Sequence, residues 1–138
     1  MNRYKKYVSK ANRYEIFGFR KKAIKIMELA IEEPLSKLEM GSGLIYIGLM
    51  YRKLNDLNNA NVYFEKALNL CKDEKYPYSP NFKIIIQSFL ENKESDKATK
   101  WNAHLTESNK KIAFFRYRAI LLWSGSRLLI NKLGMYWN

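Results

Sequence analysis

The side chains able to do chemistry are few and scattered. His104 is the one histidine and Cys71 the one cysteine among 138 residues. A metal site needs three or four converging ligands, and these two supply no such set. His104 falls late in a helical run, one turn after Lys100, and reads as a surface histidine. Cys71 ends an apolar stripe and reads as a small hydrophobe rather than a nucleophile. Glu28 and Glu32 stand at i and i+4 and could present two carboxylates together. With no histidine or further acid cluster beside them, they read as a solvated face. Gly41-Ser42-Gly43 lacks the Lys-Ser/Thr that completes a phosphate loop. Ser124 and Ser126 flank a glycine without a base in sight. No catalytic residue, cofactor or metal is assigned, and the chain reads as a non-enzyme.

Composition narrows the class further. At 138 residues, with 47% hydrophobic and 28% charged, the chain has the make-up of one globular domain with a sizeable core. Three prolines and six glycines favour long helices over many turns. A single cysteine makes no internal disulfide and fits a reducing compartment. No stretch approaches the roughly 20 apolar residues that span a bilayer. The basic N-terminus lacks the apolar centre of a secretory signal. The expectation is a cytoplasmic protein, with peripheral attachment to a membrane as the variant reading. The net charge of +12 concentrates at the ends: residues 1–25 hold nine Lys/Arg against Glu15, and residues 108–138 hold six and no acid. Such asymmetry suits an anionic partner.

Apolar periodicity then places the elements. Helices are predicted over about 2–17, 20–33, 35–53, 57–71, 80–92 and 96–107. The inward residues of the second are read as Ala23, Ile26, Met27, Ala30 and Ile31. Gly18 is a plausible stop for the first helix, and Asp56 or Asn58 can cap the fourth. Gly41 and Gly43 would each cost about 1 kcal/mol inside a helix, so the third is expected to start near Ser42. A seventh helix is expected over 109–123 and a short one over 127–133, followed by an aromatic tail.

These helices repeat as hairpins. Ala23, Ala60 and Ala98 open the inner face of a second helix at spacings of 37 and 38 residues. Nine residues before each stands an aromatic: Tyr14, Tyr51 or Phe89. Seven residues after stands Ala30, Ala67 or Leu105. Small residues on the stripes let two backbones approach.

At this point the chain resembles the tetratricopeptide repeat (TPR) family. The central unit carries the resemblance: Gly48, Tyr51, Ala60, Phe64 and Ala67 fall on the family's positions, with Leu44 and Ile47 ahead of the glycine. Asn55-Asp56 stands where the family usually has Gly-Asp. The first unit substitutes Ala11 for the glycine and Met27 for the aromatic. The third has Ile86, Asn102 and Leu105 for the glycine, aromatic and final alanine. The likeness covers residues 4–107. It implies an all-α fold, a right-handed superhelical array of antiparallel hairpins (an α-solenoid). The repeats and a capping helix would occupy 1–123, and 124–138 would be a short basic-aromatic tail.

The resemblance also implies a concave groove, lined by the first helices, that takes an extended peptide or a partner helix. Its predicted lining is Lys5, Val8 and Asn12, then Ile45, Leu49, Arg52 and Lys53, then Lys83 and Gln87. An apolar centre with basic and amide ends suits a ligand with an apolar anchor and some negative charge. One subfamily clamps a terminal carboxylate with a Lys-Asn-Asn-Lys-Arg set. Only Asn12 matches it, since Val8, Tyr46, Pro80 and Ile84 hold the other positions. That clamp is not expected. The alternative to an adaptor is a membrane-associated regulator or immunity-type protein acting through the acid-free tail. Phe115, Arg116, Arg118, Trp123, Arg127 and Trp137 would then touch anionic lipid. Homodimerisation through the same residues is a further reading. Nucleic acid ranks last, because no recognised binding module is present.

Overall fold

The computed structural model describes residues 2–76 and 79–108. Among them are six helices and no strand: α1 (Arg3–Ile16), α2 (Arg20–Ala30), α3 (Lys37–Lys53), α4 (Leu57–Leu70), α5 (Asn81–Glu91) and α6 (Ser95–Ser108). The expected helices and tail beyond residue 108 lie outside the described residues. The chain divides into two compact units between Tyr76 and Pro77. The first holds hairpins α1–α2 and α3–α4, with α2 packed on α3; the second holds hairpin α5–α6.

All three hairpins turn the same way. Gly18, Asn55 and Lys93 take left-handed backbone angles (φ +82°, +60° and +59°). In each turn the next amide reaches back five residues. Phe19 N donates to Tyr14 O at 2.8 Å, Asp56 N to Tyr51 O at 2.9 Å, and Glu94 N to Phe89 O at 2.8 Å. This closure satisfies carbonyls that a helix end leaves orphaned. The aromatics of the sequence repeat therefore sit where each turn closes. Glycine adopts this conformation freely and asparagine tolerates it, whereas lysine is strained there. Lys93→Gly is expected to stabilise the second unit by about 1 kcal/mol, read as a rise in the midpoint of urea unfolding.

Three sequence expectations need correction. α2 ends at Ala30, not Glu33, because Glu32 N and Glu33 N turn back to Leu29 O and Ala30 O. Within α2, Ile24 is buried and Ile26 only half-buried, since Ile24 is enclosed in the core cluster with Ile47 and Met50 while Ile26 packs against its outside. α3 starts at Lys37, not near Ser42. Ser36 and Glu39 form a reciprocal capping box that fixes the start. Helix α3 continues through its glycines because neighbours occupy the space their side chains would need. A Cβ on Gly41 would meet Cys71 Sγ at 2.5 Å, and one on Gly43 would meet Ile31 Cγ2 at 2.9 Å. Tertiary contact offsets the helix propensity lost.

The core of the first unit runs through Ala11, Ala23, Ile24, Met27, Ala30, Ile47 and Met50. Phe64 of α4 is fully buried against Gly48. Asp56, rather than Asn58, caps α4 by accepting from Asn59 N at 3.1 Å. In the second unit Phe82, Ile85, Ile86 and Phe89 of α5 are buried, as are Ala98, Trp101 and Leu105 of α6.

Candidate functional site

The first helices of the first unit, α1 and α3, share one face. Tyr4, Lys5, Val8 and Ser9 from α1 and Ser42 and Tyr46 from α3 line a cavity of about 310 Å³. Their positions follow from helical spacing: Tyr4 and Val8 are one turn apart, as are Ser42 and Tyr46. Lys5, Ser9 and Ser42 are exposed, while Tyr4, Val8 and Tyr46 are half-buried walls.

A row of polar contacts continues along the same two helices. Tyr46 Oη donates to Asn12 Oδ1 at 2.8 Å. Lys53 Nζ donates to and pairs with Glu15. The Tyr46 hydroxyl is pushed up to about 12, first by burial and then by the nearby Glu15 carboxylate. It stays protonated, and so a donor, at any physiological pH. Burial also raises Tyr4 above the usual phenol value.

The predicted groove residues fall as follows. Lys5 and Val8 line the cavity, and Asn12 is exposed beyond it, bonded to Tyr46. Ile45, Leu49 and Arg52 are half-buried on α3, with Leu49 packed against the core cluster; Lys53 is exposed. Lys83 and Gln87 are half-buried on α5, in the second unit, where Gln87 Nε2 donates to Glu91 Oε1 at 2.9 Å. Phe115, Arg116, Arg118, Trp123, Arg127 and Trp137 lie outside the described residues. Sequence reasoning missed Tyr4, Ser9, Ser42 and Tyr46 as cavity lining. Once Ser36-x-x-Glu39 is taken as a capping box, Ser42 becomes helical and stands one turn before Tyr46. That signal was in the sequence.

A larger, open cavity of about 590 Å³ was not foreseen. Lys21, Ile24, Lys25 and Glu28 of α2 line it with Tyr51, Leu54 and Asp56. Nearby, Tyr51 and Tyr63 stack with ring centroids 5.6 Å apart, joining α3 to α4. Both hydroxyls are raised, by burial first and by the Glu28 carboxylate second.

The remaining reactive groups are held in packing roles. The Cys71 thiol donates to Lys37 O at 3.4 Å. Burial, and then the Glu74 charge, push it above its ordinary value, which disfavours the nucleophilic thiolate. His104 is half-buried rather than on the surface, with its ring edge-on to Trp101 at 5.6 Å and 89°. Among the described residues no three of His, Cys, Asp and Glu come together to hold a metal ion. No helix among them is long and apolar enough to cross a membrane.

The architecture matches a solved structure. A TPR-like repeat protein from Podospora anserina, assigned as a kinesin light chain with nearly identical repeats, superposes at a TM-score of 0.67. The match covers 95% of this chain and 73% of that one at 11% sequence identity. The chain has the TPR-like repeat fold. Among curated proteins, response regulator aspartate phosphatase A of Bacillus subtilis (strain 168) is 29% identical over 91 residues. That alignment takes in 62% of this chain and 24% of the relative, so the chain spans about a quarter of the relative's length. No family profile matches the chain. α1 and α3 are the first helices of their TPR-like hairpins.

Proposed function

We propose that the α1–α3 face of this TPR-like chain binds an extended segment of a partner protein and catalyses no reaction. The carrying observation is the cavity walled by Tyr4, Val8 and Tyr46 and rimmed by Lys5, Ser9 and Ser42. Its apolar walls suit one aliphatic or aromatic anchor. The Lys5 ammonium and the hydroxyls suit a carboxylate or backbone carbonyls beside it. Asn12, Ile45, Leu49, Arg52 and Lys53 extend the same helices. The relative's name, response regulator aspartate phosphatase, supports a protein as the partner. The raised Cys71 thiol supports a scaffold rather than a nucleophilic enzyme.

Affinity purification from the native host tests this reading. Ser9→Trp, on an exposed position, places an indole across the cavity mouth, and Lys5→Glu reverses the rim charge. Each is expected to leave helicity intact and to lower recovery of the wild-type partner about tenfold. Recovery of the same partners in the same yield by both variants would count against the groove.

A further inference from the structure

The turn between α1 and α2 is chemically unlike its two counterparts. The three turns share one backbone geometry, yet their residues differ. The second reads Lys53-Leu54-Asn55-Asp56 and the third Glu91-Asn92-Lys93-Glu94, whereas the first reads Ile16-Phe17-Gly18-Phe19. The hairpin fold therefore does not demand apolar residues there. Ile16, Phe17 and Phe19 are nonetheless 78%, 75% and 52% exposed. Nothing lies within 4 Å of where a Gly18 Cβ would be, so the tip stands clear of its own hairpin.

Cations surround this tip. Arg13 lies in the last turn of α1, and Arg20, Lys21 and Lys22 begin α2. Lys22 Nζ lies 5.2 Å from the Phe19 ring centroid and 5.7 Å from that of Tyr14, which places a charge directly on the aromatic shoulder. The acid nearest in sequence, Glu15, is engaged by Lys53. A protruding apolar point with a cationic collar matches the two layers of an acidic bilayer, anionic headgroups over hydrocarbon. Lysine and arginine stems reach up to phosphates while the apolar residues sit below.

We propose that residues 16–19 form an insertion tip that docks this chain on anionic lipid bilayers. None of residues 16–19 lines the α1–α3 cavity. Ile16 and Phe17 enter the headgroup–acyl boundary. Arg13, Lys21 and Lys22, all exposed, hold the surface charge, and the left-handed Gly18 gives the tip its narrow profile. Attraction of this kind weakens as salt rises.

Co-sedimentation of the full chain with vesicles tests it. Vesicles of mixed phosphatidylcholine and phosphatidylserine are expected to take up the wild-type chain at low salt, and those of phosphatidylcholine alone to take up little. The paired Ile16→Ser and Phe17→Ser variant should bind the mixed vesicles at least about tenfold more weakly. Phe17→Leu, which keeps an apolar side chain, should bind nearly as the wild type does. Lys21→Glu with Lys22→Glu should lose about tenfold or more at low salt. All four positions are exposed, so circular dichroism should be unchanged. Failure of the wild-type chain to bind mixed vesicles at low salt would overturn the proposal. So would equal binding by the paired serine variant, which would locate any lipid contact elsewhere.

Discussion

Phe64→Ala is expected to destabilise the first unit by about 3–5 kcal/mol, the range for emptying a buried aromatic site. The ring is fully buried, and it lies on the α-carbon of Gly48 rather than on a side chain. A Cβ added to Gly48 would stand 2.5 Å from Phe64 Cε1 and 3.1 Å from the Ala60 carbonyl oxygen. The ring can shift only slightly, and the carbonyl belongs to α4 itself. Gly48→Ala alone should therefore cost about 1–3 kcal/mol by overpacking, despite the gain of about 1 kcal/mol in helix propensity. The two changes should not add. With the ring gone, the alanine methyl enters the space it left, and the paired variant should be more stable than the sum of the single losses by about 1 kcal/mol or more. Urea unfolding followed by circular dichroism measures all four corners of the cycle. Strict additivity would show that Phe64 does not seat on Gly48.

Trp101 is the equivalent test for the second unit. It is fully buried on α6, with His104 edge-on to its ring and the Lys100 ammonium 4.7 Å from the ring centroid. Trp101→Ala should cost about 3–5 kcal/mol, and Trp101→Phe much less, because most of the buried area is kept. Hydrogen exchange should show amides of α5 and α6 losing protection first, since local opening follows the weakened contacts. Uniform loss across α1 to α4 at the same rate would argue for a single cooperative unit.

Much of this fold was written locally. Asp56 and Gly18 lie where capping chemistry and backbone freedom say helices begin and end. The 37- and 38-residue spacings of Ala23, Ala60 and Ala98 reflect hairpins that share one turn geometry. What local rules missed was decided across helices. Gly41 and Gly43 look like breakers until Cys71 and Ile31 are seen in the space their side chains would need. Ile24 outranks Ile26 because it is enclosed in the cluster that α2 shares with Ile47 and Met50 of α3. The left-handed Lys93 gives no sign in its residue type. Of the candidate groove, Lys5 and Val8 were legible from helical position. Ser42 and Tyr46 needed the true start of α3.

The close approach at Gly48 also bears on how such a chain can be inherited. In each hairpin, a residue of the first helix and one sixteen positions later in the second are buried: Ala11 with Met27, Gly48 with Phe64, Ile86 with Asn102. The glycine lies against a phenyl ring, and an isoleucine is matched in register with a short amide. Size is divided between the two helices rather than assigned to a position. A gene duplication that copies a whole hairpin transmits both halves of that division together. A crossover between Ala30 and Lys37 would keep each pair intact, whereas one between α3 and α4 would take the Phe64 ring away from Gly48. The hairpin, more than the helix, is thus the unit that recombination can move without penalty.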